Sequence, residues 1–320
     1  MNIAYLIVAW NRPELLKRMV DRLNQPNVFF YVHIDKKNED LKLFQDIFLG
    51  YKNVSVISEY KVYWGGISQV KTALHLMRLA SNSRMDFKYF VMLSGQDYPI
   101  KTNEYINDFF SNHTCDFVSY NRIEDLHDSY KSKYRYFHYL DFKYINPKDP
   151  HKNKLLYYLY SGFYKRVGKY LPHRSFYKNF IPYFGSDWLA LSRDTVKFIL
   201  DFADNNKDYV RFMTYTEIPS ELFIHNIILN SERKTNLCDY DKFVAWLQTK
   251  KKGEIFTPEY SSLRYMDWSD RGKEHTKPAT LDISYFEVLK TDKNLFARKV
   301  DGKISAELLD RIDRELLNVK

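Results

Sequence analysis

From Ile3 to Tyr120, short apolar runs rich in β-formers alternate with stretches of helical periodicity, and this rhythm constrains the fold more than any other feature of the chain. Ile3–Ala9 is a strand run; Asn11 then offers an N-cap, Pro13 sits in the first turn, and Leu15, Leu16, Met19, Val20 and Leu23 recur at helical spacing. Val28–Ile34 and Val54–Ile57 read as the next strands, with a helix over Leu41–Phe48 between them and another over Ile67–Leu79 after the Gly65-Gly66 break. Tyr89–Leu93 reads as a fourth strand, Glu104–Phe110 as a helix and Asp116–Tyr120 as a fifth strand. Strands this short and apolar, separated by helices, predict an α/β fold with a mostly parallel central sheet covered by helices. Ligands of such sheets bind beyond the carboxyl ends of the strands. That rule singles out Trp10-Asn11, Asp35-Lys36-Lys37, Tyr63-Trp64-Gly65-Gly66 and Ser94-Gly95-Gln96-Asp97.

The rhythm breaks between Asn121 and Pro182, where Lys, Arg and His interleave with Tyr and Phe; this segment reads as an insertion, helical around Leu155–Val167. It draws on an unusual stock of aromatics, 27 Tyr, 23 Phe and 5 Trp in 320 residues, and on a basic excess of 49 Lys and Arg over 40 Asp and Glu. Such a surface suits phosphates, sugars and anionic headgroups. After Gly185 the pattern returns, with strands at Trp188–Leu191 and Leu263–Trp268 and helices at Asp194–Phe202, Glu221–Leu229, Leu281–Leu289 and Ile304–Leu317. Neither repeat nor linker divides the chain, so residues 1–320 read as a single domain with 121–182 inserted on its acceptor side. The only cysteines, Cys115 and Cys238, argue against a disulfide scaffold or zinc site and fit a reducing compartment. No apolar run approaches a membrane span, and the expected location is cytoplasmic, free or peripheral at the inner face of the membrane.

Common catalytic and phosphate-binding motifs are absent: there is no G-x-G-x-x-G, P-loop, H-E-x-x-H or G-x-S-x-G. Asp239-Tyr240-Asp241 has the D-x-D form that can hold a divalent cation, but it lies late, in a polar stretch that reads as a solvated loop. After the fourth strand, where such a motif belongs, Ser94–Pro99 offers only Asp97, a poor cage for a hard cation. Glu221 opens an apolar segment after Ile218-Pro219-Ser220, where aromatic neighbours could desolvate it and tune it as a base; Glu217 and Asp97 are the next candidates. Arg264, and the pair Arg298-Lys299, put cations inside short apolar runs. Such cations either face solvent or act as fixed counter-charges for a leaving diphosphate.

The segments Ala4–Val8, His33–Lys37, Val62–Ser68, Leu93–Thr102, Gly185–Ser192, Pro219–Ser231 and Leu295–Lys299, in that order, resemble the core-2 β-1,6-N-acetylglucosaminyltransferases and peptide O-xylosyltransferases, one family of inverting, metal-independent glycosyltransferases. The resemblance implies a GT-A-like nucleotide-diphospho-sugar transferase fold with Glu221 as catalytic base. Arg264 and Lys299 would neutralise the UDP diphosphate without a divalent metal, and Asp35 and Tyr63 would contact uridine. Ala9, Trp10 and Asn11 would line the same pocket, with Trp64, Asp97 and Trp188 as candidate sugar or acceptor contacts. The implied partners are a UDP-sugar donor carrying N-acetylglucosamine or xylose and a glycan or glycolipid acceptor; an anionic membrane surface is a further expected contact, and nucleic acid is not. The chain lacks the anchor and the many cysteines of animal members, and has Ser220 where an aspartate usually precedes the base. It therefore looks like a bacterial relative serving surface polysaccharide synthesis. The competing reading is a non-catalytic carbohydrate-, nucleotide- or polyanion-binding protein on the same sheet.

Overall fold

The computed structural model describes all residues except 142–145, 147–153, 168–169, 171, 252, 261, 270–276 and 320, together with the side chains of 157, 160, 161, 164 and 165. Parts of the insertion therefore lie outside the described residues.

Four strands run parallel: β1 (Asn2–Ala9), β2 (Val28–Ile34), β3 (Val54–Ile57) and β4 (Phe87–Ser94). Between them come the helices α1 (Pro13–Leu23), α2 (Leu41–Asp46) and α3 (Ile67–Ser81). β1 lies in the centre of the sheet, hydrogen-bonded to β2 on one side and β4 on the other, and almost all its side chains are buried. That is why its sequence is continuously apolar rather than alternating. The three central strands end flush: Ala9 stands opposite Ile34, and Val8 opposite Ser94.

Past β4 the chain makes a short strand β5 (Asp97–Pro99) and α4 (Asn103–Asn112). The next elements are the two-residue strand β6 (Asn121–Arg122), then α5 (Ser129–Arg135), α6 (Lys154–Val167) and β7 (Tyr183–Phe184), which pairs with β6. β8 (Ala190–Ser192) returns antiparallel to β4 and closes the main sheet in the order β3-β2-β1-β4-β8. Four helices follow: α7 (Arg193–Asn205), α8 (Lys207–Thr214), α9 (Phe223–Leu229) and α10 (Tyr240–Thr249). The chain ends with β9 (Arg264–Met266), α11 (Phe286–Thr291), β10 (Phe296–Arg298) and α12 (Ala306–Glu315). α1, α4, α11 and α12 bury their apolar stripes against one face of the sheet; α3, α7, α8 and α9 cover the other. A second, small sheet of order β5-β10-β9 sits beside the carboxyl edge.

Most expected elements appear within a few residues of their predicted ends, but three expectations are corrected. The strand expected over Asp116–Tyr120 does not form; that segment makes only isolated bridges, Asp116 to Leu237 and Phe117 to Ala190. The buried Asp116 carboxylate instead accepts hydrogen bonds from Ser192 N and Thr195 Oγ1, both at 2.6 Å, and β8 takes the place beside β4. The N-cap of α1 is Arg12, in a left-handed conformation with φ 62°, rather than Asn11. Cys115 and Cys238 are joined by a disulfide across 123 residues of sequence, which removes the argument from free thiols to a reducing compartment.

Candidate functional site

The flush ends of β1, β2 and β4 are stitched to one another by backbone hydrogen bonds, Asp35 N to Ala9 O (3.0 Å) and Gly95 N to Val8 O (3.1 Å). Above them opens a cavity of about 530 Å³. β1 supplies Ala9, Trp10 and Asn11 to its wall, β2 supplies Asp35 and Lys37, the segment after β3 supplies Trp64, and β4 supplies Ser94 to Gln96. All four segments singled out by the carboxyl-edge rule therefore meet in one place.

Asp35 is buried and preorganised. Its Oδ1 accepts from Lys37 N (2.9 Å) and Val62 N (3.1 Å), while Lys37 Nζ lies 3.6 Å from Oδ2. The same ammonium stands 4.5 Å from the centre of the Tyr63 ring, so Tyr63 is buried behind the cavity wall and reaches the site through Lys37. Trp10 and Trp64 both line the cavity and are exposed, and flat rings of this kind suit stacking on a ligand.

Two residues of the insertion fix the turn that carries Trp64. Asn146 of the insertion donates to Trp64 O (2.9 Å) and itself lines the cavity. Asp141 accepts from both Ser68 N and Ser68 Oγ at the start of α3. A Cβ at Gly66 would stand 1.9 Å from Asp141 Oδ1, so a larger residue there would displace the Asp141 carboxylate from Ser68. The insertion is thereby part of the cavity wall.

The cations separate into two environments. Arg264, on β9, is buried: its Nε donates to Asp97 Oδ1 (3.0 Å), and its other nitrogens donate to Ser262 O and Met92 O. Asp97, equally buried, accepts from Ser94 N (2.5 Å) through its other oxygen. Neither residue lines the cavity, and the solvent-facing alternative for Arg264 is excluded. Arg298, opposite Asp97 in the β5–β10 pairing, does line it: its guanidinium hydrogen-bonds Ser94 Oγ, lies 3.7 Å from Asp97 and covers the Trp188 ring at 4.3 Å. The sequence presented Arg298 and Lys299 side by side, and only the long-range pairing with β5 selects Arg298 for the wall. Lys299 is the next residue, partly exposed, with its N–H held by Ala279 O.

Glu221 was expected to begin a helix; it ends a 3-10 turn, Pro219–Glu221, that precedes α9. Ile218 just before it is left-handed (φ 52°), a costly conformation for a β-branched residue, and its N–H is tied to Gly65 O (2.9 Å). The turn holding Glu221 is thus anchored to the Trp64-Gly65 turn of the cavity wall. A smaller apolar cavity of about 80 Å³ shares Val8, Val62 and Gln69 with the large one and is also lined by Asp187, Trp188 and Ser220. Burial pushes the Glu221 carboxyl up to about 8; the Asp187 and Glu217 carboxylates add to this and Lys133 opposes it. Asp187 is itself raised by burial, against the pull of Arg298 and Arg264. The sequence places Asp187 in the family-like segment Gly185–Ser192 but marks no role for it, because a single carboxylate before a tryptophan carries no spacing signal.

Among the described residues no cluster of three or more His, Cys, Asp or Glu is arranged to hold a metal ion. Asp239 of the D-x-D sequence is not in a solvated loop. It is buried at the head of α10, accepts from Glu259 N (2.9 Å) and pairs with Lys242 at 3.2 Å. No helix among the described residues is long and apolar enough to cross a membrane.

The sequence model of one family, described as Core-2/I-branching enzyme, matches residues 3–290. Xylosyltransferase 2 of Homo sapiens is 27% identical over 324 aligned positions, covering 99% of this chain and 34% of that protein. Xylosyltransferase 1 of Rattus norvegicus is 26% identical over 322, covering 99% and 35%. The chain thus spans about a third of the length of these relatives. A solved structure of an active-site mutant of LgtC aligns with the whole chain at 12% identity and a TM-score of 0.41, a likeness too distant to add to the fold described above.

Proposed function

Because the chain belongs to the Core-2/I-branching enzyme family, we propose that it is an inverting glycosyltransferase that moves N-acetylglucosamine or xylose from a UDP-sugar to a hydroxyl of a glycan or glycolipid acceptor. One observation supports this above all. A cavity at the carboxyl edge of a parallel sheet has a guanidinium in its wall, and a carboxyl raised to about 8 stands on a turn anchored to that wall. The nucleoside takes the β1–β2 side, against Asp35 and the Lys37–Tyr63 pair. The diphosphate takes the β4 side, against the Arg298 guanidinium.

In the reaction, Glu221 in its ionised form removes the proton of the acceptor hydroxyl as that oxygen attacks C1 of the donor sugar. The bond from C1 to the diphosphate oxygen breaks with its electron pair, and C1 inverts. Arg298 and Lys299 meet the charge that grows on the departing UDP, a role commonly worth several kcal/mol in a partly dry site. Arg264 acts one layer back, holding Asp97 and through it the β4–β5 loop. No divalent ion is assigned a part, so transfer is expected to persist in EDTA. Glu221→Gln is the test: UDP binding should be kept while transfer falls by about 10²-fold or more. Near-native turnover of this variant would remove Glu221 from the mechanism and leave Asp187 and Glu217 as candidates.

A further inference from the structure

A surface helix ordinarily turns its apolar stripe inward. In α6 the reverse holds. Leu155, Leu159 and Phe163, at i, i+4 and i+8, form one stripe along the helix and are 68%, 61% and 53% exposed, with Leu156 and Tyr158 exposed beside them. Single exposed leucines are unremarkable; a continuous exposed stripe marks an interaction surface. The stripe is not isolated: of the 20 large hydrophobic side chains exposed among the described residues, nine lie between Phe137 and Ile181.

The charge along this stretch of sequence has one sign, although Lys178 pairs with Asp208 of α8 at 3.0 Å. Between Asp149 and Asp187 the sequence contains no acidic residue and seven Lys or Arg. Lys154 and Arg166, both exposed, bracket the stripe, whereas Arg174 is spent internally on carbonyls of Tyr134 and Phe212. At 14 residues α6 is about 21 Å long, too short to span a hydrocarbon core of about 30 Å.

We propose that α6 is an in-plane membrane anchor, its leucine–phenylalanine stripe seated in the headgroup boundary of an anionic bilayer and its flanking Lys and Arg against lipid phosphates. A second copy of the chain docked α6 to α6 would cover the stripe but bring two purely basic segments together. A nucleic acid would meet the charge but leave the stripe in water. An anionic bilayer satisfies both. Because Asn146 of the same insertion lines the cavity, a chain seated through α6 works beside the membrane, where an acceptor hydroxyl carried on a lipid would be presented. The inference stands whether or not the donor chemistry above is right.

The experiment is flotation of the full chain with vesicles of phosphatidylcholine alone or enriched in phosphatidylglycerol, at low and high salt, alongside its oligomeric state in solution. Binding to the anionic vesicles should be strong at low salt and weaken with added salt. Leu155→Ser and Leu159→Ser should each reduce it roughly tenfold with unchanged thermal unfolding. Arg166→Glu should weaken low-salt binding while leaving the fold intact. Failure of the native chain to float with anionic vesicles at low salt would overturn the proposal. So would serine variants that float as well as the native chain, or a dimer that Leu159→Ser dissociates.

Discussion

Glu221 carries a signature that can be read in solution. A base works only when ionised, so a carboxyl held near 8 predicts kcat/KM rising with pH and levelling off above about 8. Removing the neighbouring negative charge with Asp187→Asn should move that limb to lower pH. The linkage to stability has the same origin. In the unfolded chain Glu221 ionises near its ordinary 4.5, so its contribution is fully present below that pH and is lost as pH rises towards 8. The melting temperature of Glu221→Gln relative to the native chain should therefore climb between these limits; a constant difference would contradict the buried carboxyl. The arginines separate in the same way. Arg264→Ala breaks a buried pair and should cost about 3–5 kcal/mol of stability, whereas Arg298→Ala should remain folded and lose UDP affinity. These two arginines look alike in the sequence, each a cation within a short apolar run. Their difference lies in the pairing of β10 with β5 across some 200 residues, which no local pattern encodes.

Among the secondary-structure elements, local pattern sufficed wherever the burial of apolar side chains alone sets the element. β1 to β4, α1 and α3 all stand where apolar periodicity put them. It failed where a polar side chain makes a tertiary bond: Asp116 turns from a ladder to cap α7 and leaves no fifth strand, and Pro219 with left-handed Ile218 holds Glu221 in a turn outside α9. The disulfide was illegible for the same reason, since residues 123 apart in sequence carry no sign of adjacency. It fastens the segment after α4 to the segment before α10, next to the Asp116–Leu237 bridge. Closing so long a loop is worth up to about 5 kcal/mol in unfolded-chain entropy, so reduction, or Cys115→Ser with Cys238→Ser, should lower the melting temperature by several degrees. Equal melting with and without reductant would show that the bond contributes nothing in solution.

For the molecule as a whole, the carboxyl-edge rule located the cavity from sequence because it depends only on strand order and direction, both of which the alternating runs specify. What it could not supply is the contribution of distant segments: Asn146 from the insertion, and Arg298 from the last strand, whose positive charge joins those of Arg12 and Lys37 in the wall. A nucleotide-sugar transferase that neutralises its leaving group with side chains should bind and turn over its donor without a metal, and should depend on Arg298 to do so. UDP-sugars are screened for protection against thermal unfolding and for turnover in EDTA, with the native chain and Arg298→Ala in parallel. UDP-N-acetylglucosamine or UDP-xylose should raise the melting temperature and be consumed in EDTA, and Arg298→Ala should lose the protection. Protection by no UDP-sugar, or turnover that EDTA abolishes and Mn²⁺ restores, would contradict this mechanism.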